Sequence, residues 1–439
     1  MNRRRLMTVI GVFVLAWSVP PAQAQIPALS SRAGAAYTLY LNFGGFNFNG
    51  NWGNTGLAPG STGAFGTSDQ IREIWARTAE KYSAFNVNVT TVDPAVAAGQ
   101  ASSDAQRQLF YDNSSRLMHT VIGSGTWFGA AGGVSYIGVA PFSYSGIGTT
   151  NGFHTNWVFT NFLANGSKFI AEATAHENGH GLNLDHQSDF QVNGNINNEY
   201  SSNGGASGNG SYAPIMGNSY GSQRGTWRTG TYSNGTVQND VATLLSNSGF
   251  SLVDDGIGHS FATATNLPLT GTLVDSTLAQ GVITPLTGQT PNAIGIDNYT
   301  KDYFRFTMGQ TGEVTLTVTN GGDWLTPGVA SVGATLRSRL SIFRASDLLN
   351  AFGTGVEAAN TLSTTFTGVL TAGTYYARIS SFGGQTSSFD GTAQYFDMGS
   401  YILSGSGILP GIGAAAPEPG TFALLGLGLI GLVRYRRRK

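Results

Sequence analysis

The sequence predicts a chain of two parts, an α/β (α+β) domain followed by an all-β antiparallel sandwich. Three observations carry that expectation. Roughly 390 residues remain once two processing segments are set aside, more than one core usually serves. Strand and helix signals alternate as far as a histidine-bearing helix near residue 180. From Asp254 the texture changes to short Thr/Val/Leu/Phe runs between Gly-rich turns.

In the first part, Tyr37 to Phe43 alternates loosely and reads as a strand. Residues 69–82 place Ile71, Ile74, Trp75, Ala79 and Tyr82 at helical spacing behind the start signal Ser68-Asp69. Phe85 to Val92 returns to strand periodicity, Asp104 to Leu109 reads as a short helix, and Leu117 to Ile122 as another strand. Gly132 to Ala140 mixes Gly with Val134, Tyr136, Ile137 and Val139, as expected of an edge strand above a cleft. Such an edge holds an extended peptide by backbone hydrogen bonds. Trp157 to Phe162 reads as strand or loop, Phe169 to His180 as the central helix, and Val237 to Leu245 as a last helix. Between them, Gln187 to Ser211 is a long Asn/Gly/Ser-rich loop. The sandwich strands are expected at Asp302–Phe306, Glu313–Val318, Leu340–Phe343, Gly373–Ile379 and Ser400–Ser404.

Both ends carry processing signals. Arg3, Arg4 and Arg5, a mostly apolar run from Leu6 to Trp17, and Ala22-Gln23-Ala24 make residues 1–24 a secretory signal. At the other end Pro417-Glu418-Pro419 precedes an apolar run from Thr421 to Val433 and a basic cluster, Arg434, Arg436, Arg437, Arg438 and Lys439. This order reads as a temporary membrane anchor. Without the two ends, 15 basic residues face 23 acidic ones, a net charge of about −8. A mildly acidic, Gly/Ser/Thr/Asn-rich surface excludes a nucleic-acid partner. The chain has no cysteine, which excludes a disulfide framework, a thiol nucleophile and a cysteine-switch form of latency.

The chemistry is concentrated in His176-Glu177-Asn178-Gly179-His180 and His186. Residues four apart share a helical face, so His176 and His180 can direct imidazole nitrogens at one metal ion. His186 lies six residues past His180 and becomes a third ligand only when the helix stops and the chain turns back. Gly179 and Gly181 weaken the helix, and Asn183 is suited to a left-handed C-cap. Three neutral imidazoles leave a fourth tetrahedral position open, the mark of a catalytic Zn²⁺ site. Glu177 is then placed to act as general base toward a metal-activated water. Ala213-Pro214-Ile215-Met216-Gly217 offers a tight turn whose Met216 would form an apolar floor under the histidines.

H-E-x-x-H-x-x-x-x-x-H followed by I-M-G resembles the metzincin clan of zinc peptidases, in particular its secreted reprolysin-like or serralysin-like bacterial members. The resemblance covers about residues 35–250 and implies a zincin-like domain over 25–252. It also implies Zn²⁺ on His176, His180 and His186, Glu177 as general base and Met216 as the Met-turn. Asn183 stands where the clan has Gly, and can hold the same left-handed turn. Asn218 stands where some members carry a Tyr, which leaves Tyr220, off register, as the candidate oxyanion donor or rim residue.

Asp302-Tyr303-Phe304-Arg305-Phe306, Ala372-Gly373-Thr374-Tyr375-Tyr376 and Gly399-Ser400-Tyr401 resemble the pre-peptidase C-terminal domain, which implies an accessory module over 253–408. That family sometimes binds Ca²⁺, for which Asp254, Asp255, Asn298 and Asp302 would supply oxygens; the same residues also read as a solvated junction. Residues 417–439 resemble the PEP-CTERM sorting tail of exported Gram-negative proteins. That resemblance implies transient membrane contact, removal by an exosortase-like processing enzyme, and release or attachment at the cell surface. The expected function is therefore a secreted zinc endopeptidase acting on a protein or peptide substrate. The alternative is a non-catalytic, metal-stabilised surface or matrix protein that adheres to extracellular polysaccharide or biofilm matrix, a reading that leaves Glu177 without a task.

Overall fold

The computed structural model describes residues 25–144, 151–191, 193–202, 211–232, 234–286, 298–321, 329, 331, 333–358, 361–383, 385–386 and 394–410. The secretory signal at 1–24 and the tail at 417–439 lie outside the described residues. Among the described residues no helix is long and apolar enough to cross a membrane.

The first part is organised by a five-stranded sheet in the order Val87–Thr90, Tyr37–Asn42, Leu117–Gly123, Thr155–Phe159, Gly133–Val134. The first four strands are mutually parallel and the last is an antiparallel edge. A parallel sheet is covered on both faces, and the period-2 alternation shows how. Tyr37, Leu39 and Leu41 face a core shared with Ile71, Ile74, Trp75, Ile170, Ala171 and Ala173 of two helices, Ser68–Lys81 and Ser167–Gly181. Tyr40, Val121, Trp157 and Phe159 face the other way, into an aromatic layer with Phe46, Trp52 and Tyr111.

Local signals explain the helix starts. Thr67, one residue before the expected Ser68, caps the first helix through a reciprocal box with Gln70, which satisfies two otherwise orphaned N–H groups. The last helix is shorter than the sequence suggests. Val237–Asn239 pairs as a strand with Arg228–Thr231, and the Asn239 side chain caps a helix spanning Asp240–Ser246. The cap gives the backbone a defined start that the apolar spacing across Val237 ignores. Trp157 to Phe162 divides into the strand Thr155–Phe159 and a 3-10 turn, Thr160–Leu163.

The second part contains two five-stranded sheets. One runs Thr265–Asn266, Lys301–Met308, Gly373–Ser381, Ser338–Arg344, Gly353–Thr354; the other runs Gln280–Ile283, Gly399–Ser406, Gly312–Asn320, Thr364–Leu370, Val356–Glu357. Pairing is antiparallel throughout except where Thr265–Asn266 joins Lys301–Met308 in parallel. Phe304, Leu340, Ile342, Ala377 and Ile379 share a core with Val314, Leu316, Val318, Phe366 and Leu403 from the other sheet.

The two parts are joined by more than a linker. Gln394–Tyr395, late in the chain, pairs with Arg228–Thr231 of the first part, so one small sheet contains both. Glu80, buried at the end of the first helix, accepts hydrogen bonds from Thr335 N at 3.2 Å, Thr335 Oγ1 at 3.1 Å and Ser400 Oγ at 2.5 Å. A buried carboxylate requires such donors, and here the second part supplies them.

Candidate metal centre and active site

The helix Ser167–Gly181 carries His176, Glu177 and His180 on its final turns. Asn183 adopts the left-handed conformation with φ 75°. Its N–H donates to His180 O at 2.8 Å, and Leu184 N–H donates to Gly179 O at 3.0 Å. These are the paired bonds of a Schellman stop, which closes the helix and sends the chain back. The reversal brings His186 to the first two histidines. Ligand nitrogens of His176, His180 and His186 all lie within 4.8 Å of one another, and His180 Nε2 stands 3.0 Å from His186 Nε2.

Each imidazole is oriented from behind. His176 Nδ1 meets Ile215 O at 2.8 Å, His180 Nδ1 meets Leu184 O at 2.7 Å, and His186 Nδ1 meets Glu199 Oε1 at 2.9 Å. Carbonyl and carboxylate oxygens only accept, so all three Nδ1 atoms carry a proton and the Nε2 atoms are turned toward one another. Burial, followed by His180 and His186, holds His176 well below the ordinary histidine range. Burial and His186 lower His180 to about 4. His180 Nε2 and His186 Nε2, 3.0 Å apart, must share either a proton or a cation, and the three-imidazole donor set fits a divalent ion such as Zn²⁺. Among the described His, Cys, Asp and Glu residues no fourth ligand joins this group.

Glu177 is 6% exposed, and burial pushes its carboxyl up to about 8. A neighbouring cation favours the ionised form and works against that shift. The cleft above it encloses about 600 Å³, lined by Gly132, Gly133 and Val134 at the sheet edge and by Ile137, Tyr200, Asn218 and Tyr220. The edge backbone approaches so closely that a Cβ at Gly133 would stand 2.6 Å from Glu177 Oε1. Only glycine leaves that carboxylate in place.

The expected edge strand is shorter than its apolar pattern. Only Gly133–Val134 pairs, and the chain then leaves the sheet. Gly138 N–H donates to His180 O at 2.8 Å and Ala140 N–H to Gly181 O at 3.0 Å. The chain past Val134 thus directs its N–H groups to the carbonyls of the helix end, a further bond for His180 O and one for Gly181 O, rather than to the ladder.

Met216 is fully buried in a turn closed by Gly217 N–H to Pro214 O at 3.0 Å. Its sulfur packs where a side chain on Gly179 would be, beneath the helical turn that carries the histidines. Tyr220 lines the cleft, and burial, then Glu177, raises its hydroxyl above the ordinary range. Lys168 Nζ holds the Ser219 and Tyr220 carbonyls at 2.9 and 3.0 Å. Glu172 accepts from Ser219 Oγ at 2.6 Å and from buried Lys81 Nζ at 3.0 Å. Burial works to raise Glu172, but Lys81, Lys168 and Ser219 prevail and its carboxyl lies below its usual value. The rim is thus tied to the helix by hydrogen bonds from Lys168 and to Glu172, whose carboxylate is also held by a buried ion pair with Lys81.

Two residues were missed in the sequence. Glu199 orients His186, and Tyr200 packs on it with ring centroids 4.3 Å apart. Glu199 is an isolated glutamate in the polar loop after the third histidine, which was the available signal. The remaining buried histidines serve the core: His119 meets Asn42 Nδ2 and Thr155 Oγ1, each at 3.1 Å, and His154 meets the Tyr111 and Val139 carbonyls. Of the proposed calcium residues, Asp254 turns back to Gly256 N–H at 3.0 Å and the Asn298 carbonyl accepts from Leu286 N–H at 2.8 Å. Asp255 and Asp302 do come together, but with His259, which the sequence reading did not include.

Comparison with known proteins matches residues 415–439 to the PEP-CTERM protein-sorting motif. No curated protein matches. Among solved structures, the chain is similar to the pre-peptidase C-terminal domain of collagenase from Bacillus anthracis. The identity is 15%, with 32% of this chain and 94% of that chain covered, at a TM-score of 0.20. The sorting motif implies an exported protein of a Gram-negative bacterium, consistent with a cell-surface or extracellular location, and recognition by an exosortase-like processing enzyme.

Proposed function

We propose that this chain is a secreted zinc-dependent endopeptidase with a metzincin-like catalytic domain. The observation that carries the reading is the set of three Nδ1-anchored imidazoles whose Nε2 atoms converge beside Glu177 on the floor of an open cleft. Zn²⁺ bound there would supply Lewis acidity, polarising the scissile carbonyl and acidifying water. Glu177 takes the proton from the attacking water and passes it to the leaving amine. The Gly133–Val134 edge offers backbone groups to an extended peptide, which then lies across Glu177. Tyr220, whose hydroxyl lines the cleft beside Gly132, is the candidate donor to the developing oxyanion.

The metal-stabilised adhesion protein of the alternative reading needs a closed site, and both the three-histidine set and the cleft favour the peptidase. Hydrolysis of an unfolded protein substrate should vanish on chelation and return with added Zn²⁺. Activity that survives complete metal removal would count against this function.

A further inference from the structure

The second part of the molecule contains another convergent donor set, formed by Asp255, His259 and Asp302, whose ligand atoms lie within 4.8 Å of one another. Asp302 sits in the strand Lys301–Met308, while Asp255 and His259 belong to the segment that leads from the first part into the sandwich. Asp302 is fully buried. Its Oδ2 accepts from Tyr401 Oη at 2.7 Å, while its Oδ1 has no hydrogen-bond partner. That orphaned oxygen is aimed at the cluster, 3.6 Å from His259 Nε2. A buried carboxylate oxygen without a donor is costly, and an ion repays that cost where a hydrogen bond does not.

The other ligands are placed in the same manner. Asp255 Oδ1 accepts from Ile257 N–H at 3.0 Å and Oδ2 from Val282 N–H at 2.7 Å, which fixes the carboxylate on the sandwich. His259 is about half exposed, so the site opens to solvent on one side. Two ligands at about 2 Å from one ion, at a tetrahedral angle, lie roughly 3.3 Å apart, close to the observed Nε2 to Oδ1 separation.

We propose that Asp255, His259 and Asp302 bind a divalent cation of the zinc class, which ties the interdomain segment to the sandwich. One imidazole with two carboxylates favours a borderline ion over calcium, which takes six to eight oxygens. Burial, with Asp255 beside it, pushes the Asp302 carboxyl well above its usual range, a shift that a bound cation would relieve. A proton shared between the two aspartates is the competing explanation, and it binds no metal.

The test is equilibrium dialysis of the chelator-treated full chain against Zn²⁺ with calcium in excess, followed by metal analysis. Wild type should retain one zinc equivalent more than His259→Ala and one more than Asp302→Asn. Zn²⁺ should also raise the unfolding midpoint of a His176→Ala/His180→Ala protein, and do so less once His259→Ala is added. His259 is half exposed, so its replacement tests the site even where Asp302→Asn fails to fold. Equal zinc content in wild type and His259→Ala, or retention of calcium alone, would overturn the proposal.

Discussion

The two donor clusters of this molecule are built on opposite plans. His176, His180 and His186 fall within eleven residues, aligned by one helix and closed by one left-handed Asn183. Asp255, His259 and Asp302 come from a connecting segment and a distant strand, and only the sheet brings them together. Each imidazole of the first set has its own acceptor behind it and faces a cleft. In the second set a carboxylate oxygen is left orphaned at a junction. Donors pre-oriented around an open position suit chemistry on a passing substrate, whereas donors from two chain segments suit a clip.

That contrast can be broken in order of expected effect. His180→Ala should remove one zinc equivalent and lower hydrolysis by about 10³-fold or more, since metal polarisation contributes several kcal/mol. The second equivalent should remain, and its loss would mean that the clusters are not independent. Tyr220→Phe should lower kcat by about 10²-fold with KM nearly unchanged, as expected for a donor felt in the transition state. A change in KM alone would reduce Tyr220 to a wall of the cleft. Glu199→Ala should weaken zinc affinity by about 10- to 100-fold in competition with a chelator, because His186 loses its orienting acceptor. The smallest effect belongs to Asn183→Ala, which keeps the backbone at φ 75° but replaces Asn by a residue that tolerates the left-handed region less well. It should cost about 1 kcal/mol in denaturant unfolding.

Much of the first cluster was legible because a helix makes spacing equal to geometry. The i, i+4 histidines, the Asn183 stop and the Met216 floor all follow from local rules, and each takes its expected place. The partners in the polar loop were not legible, since Glu199 and Tyr200 reach His186 through a path without periodicity. The apolar run after Gly132 suggested a longer strand, but Gly138 and Ala140 bond to the helix end instead of the sheet. His259 was overlooked because Asp302 reaches it only through the fold, while its spacing from Asp255 in a non-helical segment carries no local signal. The shared sheet between Arg228–Thr231 and Gln394–Tyr395 escaped for the same reason: pairing across more than 160 residues leaves no local trace.

The central claim is that Glu177 moves the proton while the three histidines hold the metal. Zinc content and peptide hydrolysis of Glu177→Gln, measured beside wild type in preparations free of other proteases, test it directly. Unchanged zinc with hydrolysis reduced by about 10²- to 10⁴-fold is the predicted result. Full hydrolysis by Glu177→Gln would contradict it.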